Sequence, residues 1–200
     1  MITLGGERRF RQRTLDLAEL RLGDAVLDVG CGTGTLLIEA AKRVGPSGSA
    51  HGIDRSAEML AHARRKAAAQ GITATFVESS GDHLTFPNTS FDVVFSTLML
   101  HHLPPPMQMA TITEMRRVLR PGGRIVIVDM QPPRKTSALF SHIGLIHLFR
   151  SRATLPDWQK IEELLTQHGF QLAGRRPVWG ETVCALVGCI AAERGMESET

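Results

Sequence analysis

The segment VLDVGCGTG, residues 26–34, constrains the fold of this chain more than any other feature. A short apolar run leads into three evenly spaced glycines, Gly30, Gly32 and Gly34, and helical periodicity follows them. Glycine is used where φ is positive or where a ligand approaches the backbone, and a helix N-terminus offers free N–H groups. The segment therefore predicts a strand, a ligand-binding loop and a helix.

The residues around this loop indicate which ligand it binds. A dinucleotide-binding loop follows the pattern G-x-G-x-x-G, but Thr35 stands where the third glycine of that pattern belongs. Asp28, two residues before Gly30, would repel a pyrophosphate and favours a ligand with positive charge. S-adenosylmethionine, which carries a sulfonium and an ammonium group, satisfies both conditions. The alternative interpretation is a strand–turn–helix junction without a ligand.

A second carboxylate follows at the end of the next apolar run. Asp54, in HGIDRS, lies twenty residues beyond Gly34, where a nucleoside-binding α/β unit carries the acid that binds ribose. Ser56 has the character of a helix N-cap, so Asp54 is alternatively an acid at a helix N-terminus. The order of the glycine loop and the acid along the chain favours the ribose interpretation.

Four segments together resemble the class I S-adenosylmethionine-dependent methyltransferases, in the small-molecule branch typified by the ubiquinone/menaquinone-biosynthesis C-methyltransferases. These segments are VLDVGCGTG, GIDRSAEML, SFDVVFSTLMLHHL and RRVLRPGGRIVIVD, and the resemblance covers residues 15–130. It implies a Rossmann-like α/β fold: a seven-stranded, mostly parallel sheet with helices on both faces and an antiparallel hairpin of the last strands, the seventh inserted between the fifth and sixth. It also implies methyl transfer to a small apolar or aromatic acceptor at carbon, oxygen or nitrogen.

The resemblance locates the adenine-binding contacts as well. Met59 offers an apolar face to adenine, although a core role is the alternative. Ser80 stands where the family usually has an aspartate that reads adenine, and Gly81 and Asp82 follow it, so that Asp82 is the substitute if the loop shifts. The predicted cofactor-binding residues are Asp28, Gly30, Cys31, Gly32, Gly34, Asp54, Arg55, Met59, Ser80, Gly81, Asp82, Ser96 and Thr97.

Polar residues follow the fourth predicted strand. The carbonyls of Ser96 and Thr97 are predicted to lie beside the ammonium group of the cofactor. His101 and His102 come next, at the carboxyl end of the strand, where ligands bind in open α/β sheets. An imidazole is suited to serve as a general base if the acceptor must lose a proton. The alternative is that the pair packs against the cofactor or holds the loop.

An inserted segment, residues 131–155, follows the fifth predicted strand. Its part 136–150 is apolar almost all round as a helix and has basic flanks, so it is buried or faces an apolar partner. We interpret it as a lid or wall of the acceptor pocket, with a homodimer interface and contact with a membrane surface as alternatives. Its His142 and His147 would lie about 140° apart on a helix, and no metal site is predicted.

Composition excludes several other classes. The 200 residues predict one domain, 1–200. A net charge of +3 and the absence of tyrosine argue against a nucleic-acid methyltransferase; a cofactor-binding subunit without activity is the other alternative.

No apolar stretch reaches the roughly 20 residues that span a bilayer, and the N-terminal segment lacks a signal-peptide core, so we expect a cytoplasmic protein. Cys184 and Cys189 are predicted to point to opposite faces of a strand and to stay reduced.

Strand and helix signals alternate along the chain, as they do in a parallel sheet with helices on both sides. The predicted strands cover 25–30, 49–54, 74–79, 91–97, 124–130, 170–178 and 182–191. The predicted helices cover 8–21, 56–70, 105–119 and 157–168, with a further helix from Leu36 to Val44.

Overall fold

The structure is a computed structural model that describes residues 6–132, 155–180 and 182–191. Its helices are α1 (Gly6–Leu17), α2 (Thr35–Val44), α3 (Ala57–Ala69), α4 (Pro105–Val118) and α5 (Trp158–Gln167), with a short 3-10 helix at Leu100–His102. Its strands are β1 (Ala25–Val29), β2 (Ser49–Asp54), β3 (Thr75–Glu78), β4 (Phe91–Thr97), β5 (Leu119–Met130), β6 (Phe170–Trp179) and β7 (Val183–Ile190).

The described strands form one seven-stranded sheet in the order β3-β2-β1-β4-β5-β7-β6. The first five strands pair in parallel, and β7 pairs antiparallel with both β5 and β6. Val26 in the middle of the sheet lies between Ala50 and Val93. The predicted sheet, its antiparallel final strands and the place of the seventh strand are confirmed.

Apolar side chains fill both faces of the sheet. On one face, Leu37 and Leu60 from α2 and α3 join α1 residues in a core that includes Phe95. On the other face, Ile112 from α4 and residues of α5 pack in a core with Val94. Neighbouring residues of β4 thus point to opposite cores, as strand geometry requires. Within the described ranges, we find no helix with the length and apolar character needed to cross a membrane.

Two predicted boundaries are wrong. Helix α1 ends at Leu17 rather than near residue 21, because Glu19 adopts a left-handed conformation with φ of 48°. Strand β5 begins at Leu119, not at residue 124, because Leu119 pairs with Phe91 across an irregularity in the ladder. The predicted opposite orientation of Cys184 and Cys189 is confirmed, since the first is buried and the second exposed.

The topology brings the carboxyl ends of the five parallel strands, β1 to β5, to one edge. Strand β1 lies at the centre, with β2 on one side and β4 followed by β5 on the other. The direction in which successive strands are added reverses between β1 and β4. Ligands of open α/β sheets bind in the crevice outside such a reversal, so the residues that follow the five parallel strands define the candidate site.

Candidate functional site

The glycine loop connects β1 to α2, and all three of its glycines have positive φ: 80° at Gly30, 52° at Gly32 and 69° at Gly34. A Cβ atom at Gly30 would lie 2.3 Å from Cγ of Met99, and one at Gly34 would lie 2.8 Å from the ring of Phe76. A Cβ atom at Gly32 would meet nothing within 4 Å. Gly30 and Gly34 are therefore required by packing, whereas the backbone at Gly32 is open to an approaching ligand.

A lysine from α3 holds the end of this loop. The ammonium group of Lys66 donates hydrogen bonds to the carbonyl of Thr33 at 2.9 Å, to its hydroxyl at 2.9 Å and to the hydroxyl of Thr35 at 2.6 Å. Burial and the nearby Arg11 lower the pKa of Lys66, although Glu7 acts in the opposite direction. The sequence analysis missed this contact, because no spacing rule relates two residues 33 positions apart.

Asp54 occupies the carboxyl end of β2 and faces the glycine loop. Its carboxylate accepts the backbone N–H of Gly32 at 2.8 Å through one oxygen and that of Ser56 at 2.9 Å through the other. Ser56 caps α3 by accepting the N–H of Met59. The acid therefore joins the loop to the start of α3. Each of its oxygens retains lone-pair capacity for a further donor, such as a sugar hydroxyl.

Asp28 lies in β1 below this loop and is almost completely buried, with 2 % of its surface exposed. Its Oδ1 atom has no hydrogen-bond partner among the described residues. Burial, and then the charge of Asp54, raise the pKa of Asp28 to about 7. Burial and these two carboxylates also raise the pKa of the neighbouring Cys31, which leaves its thiol protonated. A buried, unpartnered carboxylate of this kind is suited to a cationic group.

Ser80, Gly81 and Asp82 lie in the loop after β3. The hydroxyl of Ser80 donates a hydrogen bond to the Asp82 carboxylate. A Cβ atom on Gly81 would lie 2.9 Å from the methyl group of Thr111 and 3.0 Å from Val29, so this loop packs directly against the end of β1. The two predicted alternatives for the adenine-reading residue are therefore hydrogen-bonded neighbours in one turn.

Two further predicted residues lie at the start of α3, Arg55 just before the helix and Met59 in its first turn. Arg55 is exposed, and Met59 is 43 % exposed although it is large and apolar. The interpretation of Met59 as a core residue is therefore wrong, because its position in the first turn of α3 faces solvent rather than the sheet. An exposed apolar side chain at the rim of a polar loop is available to a flat apolar ligand group.

The end of β4 carries unpaired hydroxyl groups and the histidine pair. Ser96 is fully buried, and neither its hydroxyl nor that of Thr97 has a hydrogen-bond partner among the described residues. His101 is buried and its Nδ1 lies 2.6 Å from Oδ1 of Asp129, at the end of β5. His102 is exposed, and its ring centroid lies 3.9 Å from that of His101. Partial burial of its ring and the charge of His101 lower the pKa of His102, although Asp129 opposes them.

Comparison with known proteins identifies the family. Residues 26–123 match the family model described as a methyltransferase domain. The demethylmenaquinone methyltransferase of Lactobacillus johnsonii is 35 % identical over 191 residues, which cover 86 % of this chain and 78 % of that protein. That of Thermus thermophilus is 33 % identical over 156 residues, covering 78 % and 67 %. This chain belongs to the S-adenosylmethionine-dependent methyltransferases. It is of the ubiquinone/menaquinone-biosynthesis type.

Comparison with solved structures shows that this chain has the fold of the methyltransferases. An S-adenosylmethionine-dependent methyltransferase from Aquifex aeolicus superposes with a TM-score of 0.72 at 21 % identity and covers 94 % of both chains. The predicted enzyme class and cofactor are confirmed by the family. The alternative of a cofactor-binding subunit without activity is not favoured.

The residues of the methyltransferase site fit S-adenosylmethionine. Buried Asp28 presents an oxygen without a partner among the described residues, which suits a ligand with an ammonium and a sulfonium group. The open backbone at Gly32 and the carboxylate of Asp54 lie directly beside each other. Within the part of the chain that the structure describes, no cluster of three metal-binding side chains occurs.

The sequence analysis missed one acid at this edge. Asp129 is completely buried and is the last residue but one of the run RIVIVDM, so its position at the carboxyl end of a strand next to β4 was a usable signal. The inserted segment, in contrast, lies almost entirely outside the described residues. Its role as a lid, dimer interface or membrane contact therefore stays a prediction.

Proposed function

We propose that this methyltransferase transfers a methyl group to a ring carbon of a small hydroxylated aromatic acceptor, of the reduced-quinone type. The relationship to a demethylmenaquinone methyltransferase over 78 % of that protein's length carries the proposal. A quinone ring is electron-poor, whereas its reduced, hydroxylated form has the electron-rich carbon that attacks a methyl cation equivalent. The acceptor is therefore the reduced form, and it is a small molecule rather than a nucleic acid.

The cofactor is held by the residues at the carboxyl edge. Asp28 and the carbonyls of Ser96 and Thr97 face the positively charged methionine part of S-adenosylmethionine. The glycine loop, with Cys31 in it, lies along the cofactor at the open backbone of Gly32. The remaining contacts belong to the nucleoside: Asp54 binds the ribose hydroxyls beside Arg55, Met59 covers the adenine ring, and Ser80, Gly81 and Asp82 read its edge.

Positioning supplies most of the catalysis in this reaction. The leaving group is a neutral thioether, and the methyl group moves by an in-line displacement that needs no covalent intermediate. Holding two reactants in line can contribute on the order of 7–11 kcal/mol. The acceptor ring must therefore lie with its nucleophilic carbon opposite the carbon–sulfur bond, outside the ends of β4 and β5.

Incubation of the purified chain with methyl-labelled S-adenosylmethionine tests the proposal. The acceptors are 1,4-dihydroxynaphthalene kept reduced and 1,4-naphthoquinone kept oxidised, and mass spectrometry locates the label. We expect label on a ring carbon of the reduced acceptor alone. Label on the oxygen, or on RNA or DNA offered in parallel, would overturn the acceptor assignment. A cell extract is offered as a further source of acceptors. If no hydroxyaromatic compound is methylated but another compound of the extract is labelled, the acceptor belongs to the class of that compound instead.

Replacement of Asp54 tests the ribose site. We expect Asp54→Ala to weaken the affinity for S-adenosylmethionine at least about tenfold, because a hydrogen bond to a charged group contributes about 1.5–3 kcal/mol. Calorimetry measures the affinity; we expect S-adenosylhomocysteine to bind wild type as well, and NAD not to bind.

Two variants serve as references for Asp54→Ala. Asp54→Asn loses the charge but retains an oxygen that can accept one of the two backbone N–H groups bound by the acid. Comparison with Asp54→Ala therefore separates the effect of the lost charge from that of the lost backbone contacts. Glu58→Ala removes an exposed acid from the first turn of the same helix and should leave the affinity unchanged. Wild-type affinity in a folded Asp54→Ala protein would mean that the ribose binds elsewhere.

The inserted segment is proposed as a wall of the acceptor pocket. Alanine at Phe140, Ile143 or Phe149 removes apolar contact worth roughly 1.5–3 kcal/mol per side chain, so we expect the acceptor KM to rise about ten- to a hundredfold with cofactor affinity retained. A change of particle mass in light scattering would indicate a homodimer interface instead. Loss of sedimentation with anionic liposomes would indicate contact with a membrane surface.

A further inference from the structure

His101 is fixed more firmly than a loop histidine requires. Its Nδ1 lies 2.6 Å from Oδ1 of Asp129, and its backbone N–H donates to Oδ2 of the same carboxylate at 3.3 Å. The carboxylate also accepts the N–H of Met130 at 2.7 Å. Asp129 is completely buried, so these contacts form where water does not compete with them.

A second side chain fixes the turn that carries His101. The amide nitrogen of Gln108, which is buried in α4, donates to the carbonyl of Leu100 at 3.1 Å and to that of Leu103 at 3.0 Å. These two carbonyls flank the histidine pair on either side. Helix α4 and strand β5 thus hold the backbone and the ring of His101 independently of each other.

The pairing with Asp129 determines the tautomer of His101. An ionised carboxylate only accepts hydrogen bonds, so the ring proton of neutral His101 lies on Nδ1 and its Nε2 carries a lone pair. Nε2 makes no hydrogen bond to the described residues. An acid that orients an imidazole through Nδ1 leaves the other nitrogen ready to accept a proton.

We propose that His101 is the general base of the reaction and that Asp129 is its positioning residue, an inference that rests on the proposed function. Nε2 of His101 accepts the proton of the acceptor hydroxyl, and the electron pair of that O–H bond makes the adjacent ring carbon nucleophilic. A bond forms between this carbon and the methyl group while the bond between the methyl carbon and sulfur breaks. The electron pair of the broken bond stays on the sulfur, which becomes a thioether.

The remaining protons balance without a further reactant. The methylated ring carbon loses its hydrogen as a proton to water, which restores the aromatic ring. The imidazolium of His101 returns the first proton to the acceptor oxygen. One proton is released for each methyl group transferred, and nothing is oxidised or reduced. The negative charge of Asp129 stabilises the imidazolium while it exists.

The geometry does not assign the same role to His102. Its side chain is exposed, and no acid is hydrogen-bonded to it among the described residues. Its ring lies against that of His101, with 3.9 Å between the centroids. A proton accepted by His102 would therefore lack a hydrogen bond to a buried carboxylate. Partial burial and the charge of His101 outweigh the favourable charge of Asp129 there and lower the pKa of His102. The structure thus distinguishes two histidines that the sequence leaves equivalent.

The test compares two hydroxyaromatic acceptors that differ in acidity. One is neutral at the assay pH, and the other carries an electron-withdrawing substituent and is already ionised, so that it needs no base. We expect His101→Gln to lower kcat about 10²–10⁴-fold on the neutral acceptor and far less on the ionised one. Cofactor affinity should be retained. His62→Gln, which changes an exposed histidine of α3, should match wild type on both acceptors.

Asp129→Asn supplies a readout that is independent of turnover. Nitrogen NMR of His101 should show the proton on Nδ1 in wild type and a mixture of tautomers in the variant, whose kcat should fall on the neutral acceptor only. Equal losses on both acceptors for His101→Gln would overturn the role as base, and an unchanged tautomer in Asp129→Asn would overturn the positioning role. If wild type methylates neither acceptor, the proposed function itself fails.

Discussion

Replacing Asp28 by asparagine is expected to make the ligand-free protein more stable above neutral pH and to remove most of its affinity for S-adenosylmethionine. The physical reason is the same for both effects. Burial, followed by the charge of Asp54, raises the pKa of Asp28 to about 7, and Oδ1 lacks a hydrogen-bond partner among the described residues. The ionised side chain therefore destabilises the ligand-free fold and is available to a cation.

The effect on stability has a defined direction. In the unfolded chain this carboxyl group has a pKa of about 3.9, so between about pH 4 and pH 7 the folded state holds a proton that the unfolded state has lost. The contribution of Asp28 to the free energy of unfolding therefore falls as pH rises through this window. Above it, the loss amounts to about 4 kcal/mol, since one unit of pKa is worth about 1.4 kcal/mol. The asparagine side chain cannot ionise, so the Asp28→Asn variant loses this dependence.

Binding of the cofactor should show the opposite trend with pH. In the proposed site the cationic S-adenosylmethionine binds the ionised form of Asp28. Wild-type affinity should therefore increase about tenfold for each unit by which the pH rises toward 7, and level off above 7. Removing one partner of a buried charge pair costs about 3–5 kcal/mol, so Asp28→Asn should weaken binding at least about a hundredfold. Thermal unfolding and calorimetry at about pH 6 and about pH 8 measure both effects. A wild-type affinity independent of pH would contradict this account.

Two substitutions in the glycine loop should fail in different ways. Gly34→Ala introduces a Cβ atom at a φ of 69°, 2.8 Å from the ring of Phe76 and 2.9 Å from Cβ of Ala63. Left-handed strain contributes about 1–2 kcal/mol and overpacking about 1–3 kcal/mol. We therefore expect the free energy of unfolding to fall by about 2–5 kcal/mol, as measured by denaturant unfolding.

Gly32→Ala is the matched variant, since its φ of 52° is also left-handed but its Cβ atom has nothing within 4 Å. Strain alone should cost this variant about 1–2 kcal/mol, and the fold should survive. In the proposed binding mode its methyl group occupies the space through which the cofactor approaches the backbone, so we expect affinity for S-adenosylmethionine to fall more than about tenfold. Unchanged affinity in Gly32→Ala would show that the cofactor does not approach the loop at this residue.

The sequence predicts the elements of this fold better than the contacts between them. Short apolar runs located all seven strands, because the central strands of a sheet covered on both faces are buried at nearly every position. The insertion of β7 between β5 and β6 came from family resemblance, since periodicity carries no information about strand order. Boundaries failed where one residue decided them, as at Glu19, whose left-handed backbone ends α1.

The candidate site was predictable to a similar extent. Asp28 and Asp54 were chosen as candidates because each stands at a fixed distance from the glycine loop along the chain. Asp129 pairs with a histidine 28 residues away, and Lys66 reaches a loop 33 residues away. Such contacts depend on which strands and helices become neighbours. They were missed for this reason, and the two histidines could not be distinguished without them.

The position of β7 also has a consequence for synthesis of the chain. Strand β5 pairs with β4 on one side and with β7 on the other. The residues of β7 are synthesised more than fifty positions after their partners in β5, since Met130 pairs with Val183 and Arg124 with Cys189. A nascent chain that has folded as far as β5 therefore presents the open backbone of an apolar strand, which is a template for pairing with other chains. Chains that stop before β7 should aggregate, and chaperones that bind apolar strands should engage this protein late in translation.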